Sequence, residues 1–180
     1  MGAKLLQMTV VMGRLHALAE RAAARGVPAT VLSRFSEDVA NELPIYVAAA
    51  EPDIVVFYPD GVADEAFRAD DTTRLITVRA DIPHQPSAVA VYLGHGPHAA
   101  AALDVATQLA AARQLELVLA GPDSRRARTD VAGLNRQSIT VGSGPPREGC
   151  LLVASEDDAA APAGAHLRVR ASSNEELDVT

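Results

Sequence analysis

Residues 88–113 constrain the fold more than any other stretch. Ala88-Val89-Ala90-Val91-Tyr92-Leu93 is an unbroken apolar run, Gly94-His95-Gly96-Pro97-His98 interrupts it, and an alanine-rich stretch follows to Arg113. A short apolar strand, a glycine turn and a helix in succession open a parallel α/β unit, because parallel neighbours need a helix-length crossover between them. The pattern then continues. Residues 115–120 read as a buried strand, and Gly121-Pro122-Asp123-Ser124 turns into a polar helix through Leu134. Strands are expected at 138–141, 150–154 and 166–169, with Gly142 to Pro146 read as a turn and 156–164 as loop or short helical turns.

The N-terminal half follows the same rhythm less completely. Leu5, Met8, Met12, Leu15, Leu18 and Ala22 recur at three-to-four spacing, which predicts a helix over 5–25 that Gly26 stops. Residues 27–33 are β-branched and read as a strand. Ser36, with Glu37 and Asp38 behind it, supplies the side-chain oxygen and early negative charge of a helix start. That helix should run toward Ala50 with Pro44 as its weak point. Residues 53–58 form a nearly continuous apolar run between Pro52 and Pro59, which predicts a strand covered on both faces, and 74–79 predict another. Two prolines in Asp81-Ile82-Pro83-His84-Gln85-Pro86 mark a boundary between modules 1–83 and 87–180, and the polar residues 172–180 should fray. The fold class expected is α/β, a mainly parallel sheet sandwiched by helices, with the first module incomplete.

Composition excludes several functions. With 23 acidic against 16 basic side chains the formal charge is −7, so no basic stripe exists to neutralise a nucleic-acid backbone. Hydrophobic residues make up 48% and aromatics only 3%, so the core rests on Val, Leu, Ile and close Ala packing. No stretch approaches the roughly 18 apolar residues of a membrane span, and the first residues lack the basic-then-apolar pattern expected of a signal peptide. Cys150 is the single cysteine, which rules out an internal disulfide and suits a reducing compartment.

The candidate ligand site gathers at the carboxyl edge of the strands, where open α/β sheets bind ligands. Gly94, His95, Gly96 and His98 lie between a strand and a helix, so backbone amides and the helix dipole there suit a phosphate, with an imidazole donating a hydrogen bond. The alternative is a plain tight turn carrying exposed histidines. Gly121, Asp123, Ser124 and Arg125 follow the next strand at the same edge. Arg125, Arg126 and Arg128 suit fork-shaped bonding to a phosphate, or else a solvated helix start. His95 and His98 would need a third ligand, with His84 beyond two prolines, to hold a metal. No Gly-x-Ser-x-Gly elbow surrounds Ser143, and no histidine is singled out as a base, so no enzyme is expected.

Residues 15–58, read as helix, Gly-Val-Pro-Ala-Thr-Val-Leu-Ser strand, acidic-start helix and Ala-Glu-Pro-Asp-Ile-Val-Val-Phe strand, resemble the second half of a universal stress protein domain. Residues 87–98, followed by Ala101-Ala102-Leu103-Asp104-Val105-Ala106, resemble the second stress-protein-like unit in the cytosolic tails of bacterial cation:proton antiporters. The resemblance implies a Rossmann-like tandem domain whose first module begins midway. It also implies a non-enzymatic regulatory role, sensing an adenine nucleotide or a cyclic dinucleotide to modulate transport. The partners implied are a membrane transporter domain at the inner face of the cell membrane, in the cytoplasm, and a second copy in a homodimer. A ligand-free oligomerisation scaffold is the alternative. Two features depart from nucleotide-binding stress proteins. Gly94 or His95 stands where they carry an Asp, and Ala154-Ser155-Glu156-Asp157-Asp158 replaces their glycine motif, placing carboxylates where a triphosphate would be repelled.

Overall fold

The computed structural model describes residues 2–31, 36–58, 66–67, 73–79, 82–127, 141–156, 162 and 164–172. It divides into two compact units, Met1–Glu37 and Asp38–Thr180. In the first, α1 (Gly2–Ala23) is the helix expected, with Met12, Leu15 and Ala22 half-buried, but Leu18 is 54% exposed and Ala19 is half-buried in its stead. Gly26, at φ +76°, lies in the turn that follows. Residues 27–31 do not form the expected strand: Val27 is exposed, and β-branched propensity without a ladder partner does not hold a strand. Residues 32–35 lie outside the described set.

The second unit holds one seven-stranded sheet. Its elements are α2 (Val39–Ala50), β1 (Ile54–Phe57), β2 (Arg74–Val78), β3 (Val89–Tyr92), α3 (Pro97–Arg113), β4 (Leu117–Ala120), β5 (Val141–Ser143), β6 (Leu151–Ser155) and β7 (Leu167–Arg170). The strand order is β1-β2-β7-β6-β3-β4-β5. Every neighbouring pair is parallel except β2–β7. The sheet is thus the mainly parallel α/β sheet expected, and it runs on continuously past the two prolines at 83 and 86.

The core follows from alternation along buried strands. Val89, Val91, Leu117, Leu119, Leu151, Val153, Leu167 and Val169 share one face and pack against Ala101, Ala102, Val105, Ala106 and Ala110 of α3. Alanines along α3 let the helix approach the sheet closely, and Ala102, Ala106 and Ala110 are fully buried. The opposite face carries Ala88, Ala90, Val118, Cys150, Leu152 and Ala154, packed with Ala165 and Tyr92. An Arg74–Asp104 ion pair of 2.7 Å ties β2 to α3.

Three expectations change. Helix α2 starts at Val39, not Ser36; Asp38 takes the cap position, where its carboxylate accepts from the Asn41 side chain at 2.7 Å rather than from a backbone amide. Strand β1 is not covered on both faces. It is a sheet edge, with Ile54 and Val56 exposed while Val55 and Phe57 are half-buried. Gly142 and Ser143 belong to β5, not to a turn, because they pair in register with Val118 and Leu119 of β4. Of the expected strand at 138–141 only Val141 is described, and of the polar helix only the turn 124–127.

Candidate functional site

The strand order fixes where a ligand site belongs. Counted in chain order within the second half, β3 is the first strand, and the chain moves from it to β4 and β5 on one side, then to β6 and β7 on the other. The connections reverse at β3, and in open α/β sheets the crevice beyond the carboxyl ends at such a reversal is where ligands sit. Past the end of β3, Leu93 and Gly94 are buried and His95 emerges into solvent. Gly96, at φ +107°, caps α3 and Pro97 takes the first helical position, where a missing amide proton costs nothing. No side chain caps this helix start and its first turn carries no acid; Ala99 N–H donates back to the Gly96 carbonyl at 3.2 Å, and the positive end of the helix dipole lies at this turn.

The loop after β4 comes to meet this turn. Leu93 N–H donates to the Ala120 carbonyl at 2.9 Å, and Asp123 N–H to the Leu93 carbonyl at 3.4 Å. Gly121 makes the approach possible: its φ is +91°, and a Cβ there would collide with the Leu93 backbone. The two loops are then joined by side chains, His95 Nδ1 lying 2.7 Å from Asp123 Oδ2, with His95 77% exposed. This is an ion pair only when the imidazole is protonated, and otherwise a hydrogen bond donated by Nδ1–H. Ser124 N–H donates to the Gly121 carbonyl at 3.3 Å and opens the helical turn 124–127, with Arg125 exposed beside it.

Of the eight candidate residues, Gly94, His95, Gly96, Gly121, Asp123 and Ser124 are drawn to one edge, and Arg125 projects from it into solvent. His98 is used differently: its Nδ1 accepts the Ala171 N–H at 3.2 Å, closing the end of β7. That engages one of its two ring nitrogens. Among the described residues no three His, Cys, Asp or Glu side chains are grouped to hold a metal. Arg128 lies outside the described residues.

A second group of polar residues escaped the sequence. Glu156, placed above at the start of a loop, has its side chain only 27% exposed; it accepts from Arg79 Nη2 at 3.2 Å and from the buried Thr77 hydroxyl at 3.3 Å. Arg170 Nη2 donates to the Phe67 carbonyl at 2.6 Å. It lies two residues beyond Arg168 on β7, on the same face of the strand; what it faces across the antiparallel β2–β7 junction depends on a pairing between residues nearly a hundred positions apart.

No protein-family model matches the sequence, and no curated protein does. Among solved structures, the chain is similar to a universal stress protein from Archaeoglobus fulgidus DSM 4304, at 16% identity and a TM-score of 0.47. The alignment covers 84% of this chain and 63% of that one, so the chain spans less than two thirds of that protein's length. Among the described residues, no helix is long and apolar enough to cross a membrane.

Proposed function

We propose that this chain is a non-enzymatic, cytosolic regulatory domain of a cation:proton antiporter that senses a nucleotide at the carboxyl edge of β3. The observation that supports this most is the coincidence of the topological reversal at β3 with an uncapped helix start reached through Gly94-His95-Gly96. A phosphate lying over the first turn of α3 would meet outward-facing amides and the positive end of the helix dipole. The His95 imidazolium, held by Asp123 through Nδ1, would donate to it from Nε2, and Arg125 would add charge from the rim. Asp123 opposes the dense charge of three consecutive phosphates, which favours an adenine monophosphate or a cyclic dinucleotide over a triphosphate. Control of transport then requires that the ligand bind two arrangements of the domain with different affinity.

Calorimetric titration with ATP, AMP and cyclic dinucleotides tests this. One of them should release heat, with affinity lowered about tenfold in His95→Ala; no heat with any of them overturns the sensing role. A steady absence of ATP turnover is expected in the same preparations, and sustained hydrolysis would replace a sensor by an enzyme.

A second reading, an oligomerisation scaffold, is favoured by β1. Val56 stands beside Ile76 on β2 as Val153 stands beside Leu167 on β7, and both belong to the sheet face that α3 covers. Val153 is wholly buried there, whereas Val56 is 60% exposed at an edge with no charged side chain among residues 54–57. Soluble proteins rarely leave such an edge uncovered.

A further inference from the structure

The chain has 5 histidines, and what each Nδ1 bonds divides them chemically. His98 Nδ1 accepts the Ala171 N–H at 3.2 Å, and His166 Nδ1 accepts the Leu152 N–H at 3.0 Å. A backbone amide only donates. In both neutral rings the proton is therefore on Nε2, and neither nitrogen keeps a free lone pair. His95 has the opposite tautomer. Its Nδ1 lies 2.7 Å from Asp123 Oδ2, and a carboxylate only accepts, so in the neutral ring Nδ1 holds the proton and the Nε2 lone pair is open. His16 shares that tautomer through the Met12 carbonyl, 3.0 Å from its Nδ1, but its partner carries no charge. His84 is exposed in the segment before β3.

Charge and access single out His95 among these. Its side chain is 77% exposed, and among the described residues nothing bonds its Nε2. When Nε2 forms a bond to an electrophile, positive charge develops on the ring. A carboxylate on Nδ1–H stabilises that charge and fixes the ring's direction, which is how an imidazole nucleophile is activated. Asp123 is placed for this by backbone: its N–H donates to the Leu93 carbonyl at 3.4 Å, an approach that Gly121 permits. The surroundings select the electrophile. No acid stands in the first turn of α3 and Arg125 is exposed two residues beyond Asp123, so the adduct can be an anion. A phosphoryl group is one, and on an imidazole nitrogen it persists in neutral water, whereas an acyl group is lost to hydrolysis.

We propose that His95 Nε2 is a phosphoryl-acceptor site that takes its group from a phosphoramidate, a donor whose phosphorus is bonded to nitrogen. The Nε2 lone pair forms the new N–P bond while the donor's P–N bond breaks. The donor's nitrogen, already protonated, leaves as the neutral amine with that electron pair. The ring proton stays on Nδ1, and Asp123 balances the positive ring. This chemistry needs only the imidazole and its carboxylate, so it does not depend on the nucleotide reading.

Incubating the whole chain with potassium phosphoramidate at neutral pH tests it, with acid-labile phosphoryl groups mapped by mass spectrometry and the modified nitrogen assigned by imidazole NMR. His95 should be modified at Nε2 about tenfold faster than His16 or His84, with His98 and His166 slowest. In denaturing urea the 5 histidines should react at similar rates, because the preference comes from the fold. Asp123→Asn should slow His95 about tenfold while His16 in the same molecules is unchanged, which separates an activating carboxylate from a loss of folding. Rates at His95 no greater than at His16, attachment at Nδ1, or an Asp123→Asn variant that reacts as fast as wild type would each overturn the assignment. Calorimetry without heat from any nucleotide would leave these rates as expected, so the two readings fail separately.

Discussion

Two histidines three residues apart do opposite work. His98 gives its Nδ1 to the Ala171 amide, and removing an acceptor from a part-buried donor costs about 1–3 kcal/mol. His95 stands in solvent beside Asp123, and exposed pairs contribute about 0–1 kcal/mol. In urea unfolding, His98→Ala should therefore lower stability by 1 kcal/mol or more, while His95→Ala should leave the midpoint nearly unchanged and act on ligand binding alone. Equal losses in the two variants would refute this division. Gly121 shows the same logic in the backbone. With φ at +91° and the Leu93 backbone against the missing Cβ, Gly121→Ala should cost about 2 kcal/mol or more, since such a dihedral alone costs about 1–3 for a non-glycine residue. The sequence marked both histidines as one motif because spacing shows proximity along the chain. It does not show that β7 ends beneath one of them.

At the scale of elements, legibility tracked burial. Strands β3, β4 and β6 were readable because their residues are almost all apolar and each has sheet neighbours on both sides, and helix α3 because its alanines follow a glycine turn. The same rule misled at β1: Ile54-Val55-Val56-Phe57 is equally apolar, yet strand order puts it at an edge, and order is a property of pairing that no local pattern encodes. Gly142 and Ser143 failed for the reverse reason, since glycine normally punctuates, but register with β4 holds them in a strand. The alanines of α3 carry a consequence of their own. Ala106 is fully buried against the strands, so Ala106→Leu must push the helix off the sheet or strain its rotamer, at about 1–3 kcal/mol. Thermal or urea unfolding measures this, and a neutral result would mean that the helix is not seated as closely as its small residues allow.

For the whole molecule, the seam between β2 and β7 is the organising feature. Two parallel pairs, β1–β2 and β6–β7, meet there head to tail; the second is extended by β3 and lies under α3, whereas β1 ends the sheet on the first. Among the described residues, β1 has one sheet neighbour. The exposed Ile54 and Val56 side chains and the open backbone of β1 are therefore the surface on which a second copy would add most, by pairing β1 with its own counterpart antiparallel about a two-fold axis. Such pairing keeps faces matched only when centred on a residue, Val55 or Val56. In both registers the acidic Asp53 meets an aromatic or the residues beyond it, not its own copy, so no like charges oppose. Sedimentation at micromolar concentration should show a dimer, and Val56→Lys, which sets a charge on the contact face of an edge strand, should convert it to monomer with the circular dichroism unchanged. A wild-type monomer at that concentration would remove the scaffold reading and leave the nucleotide reading to stand by itself.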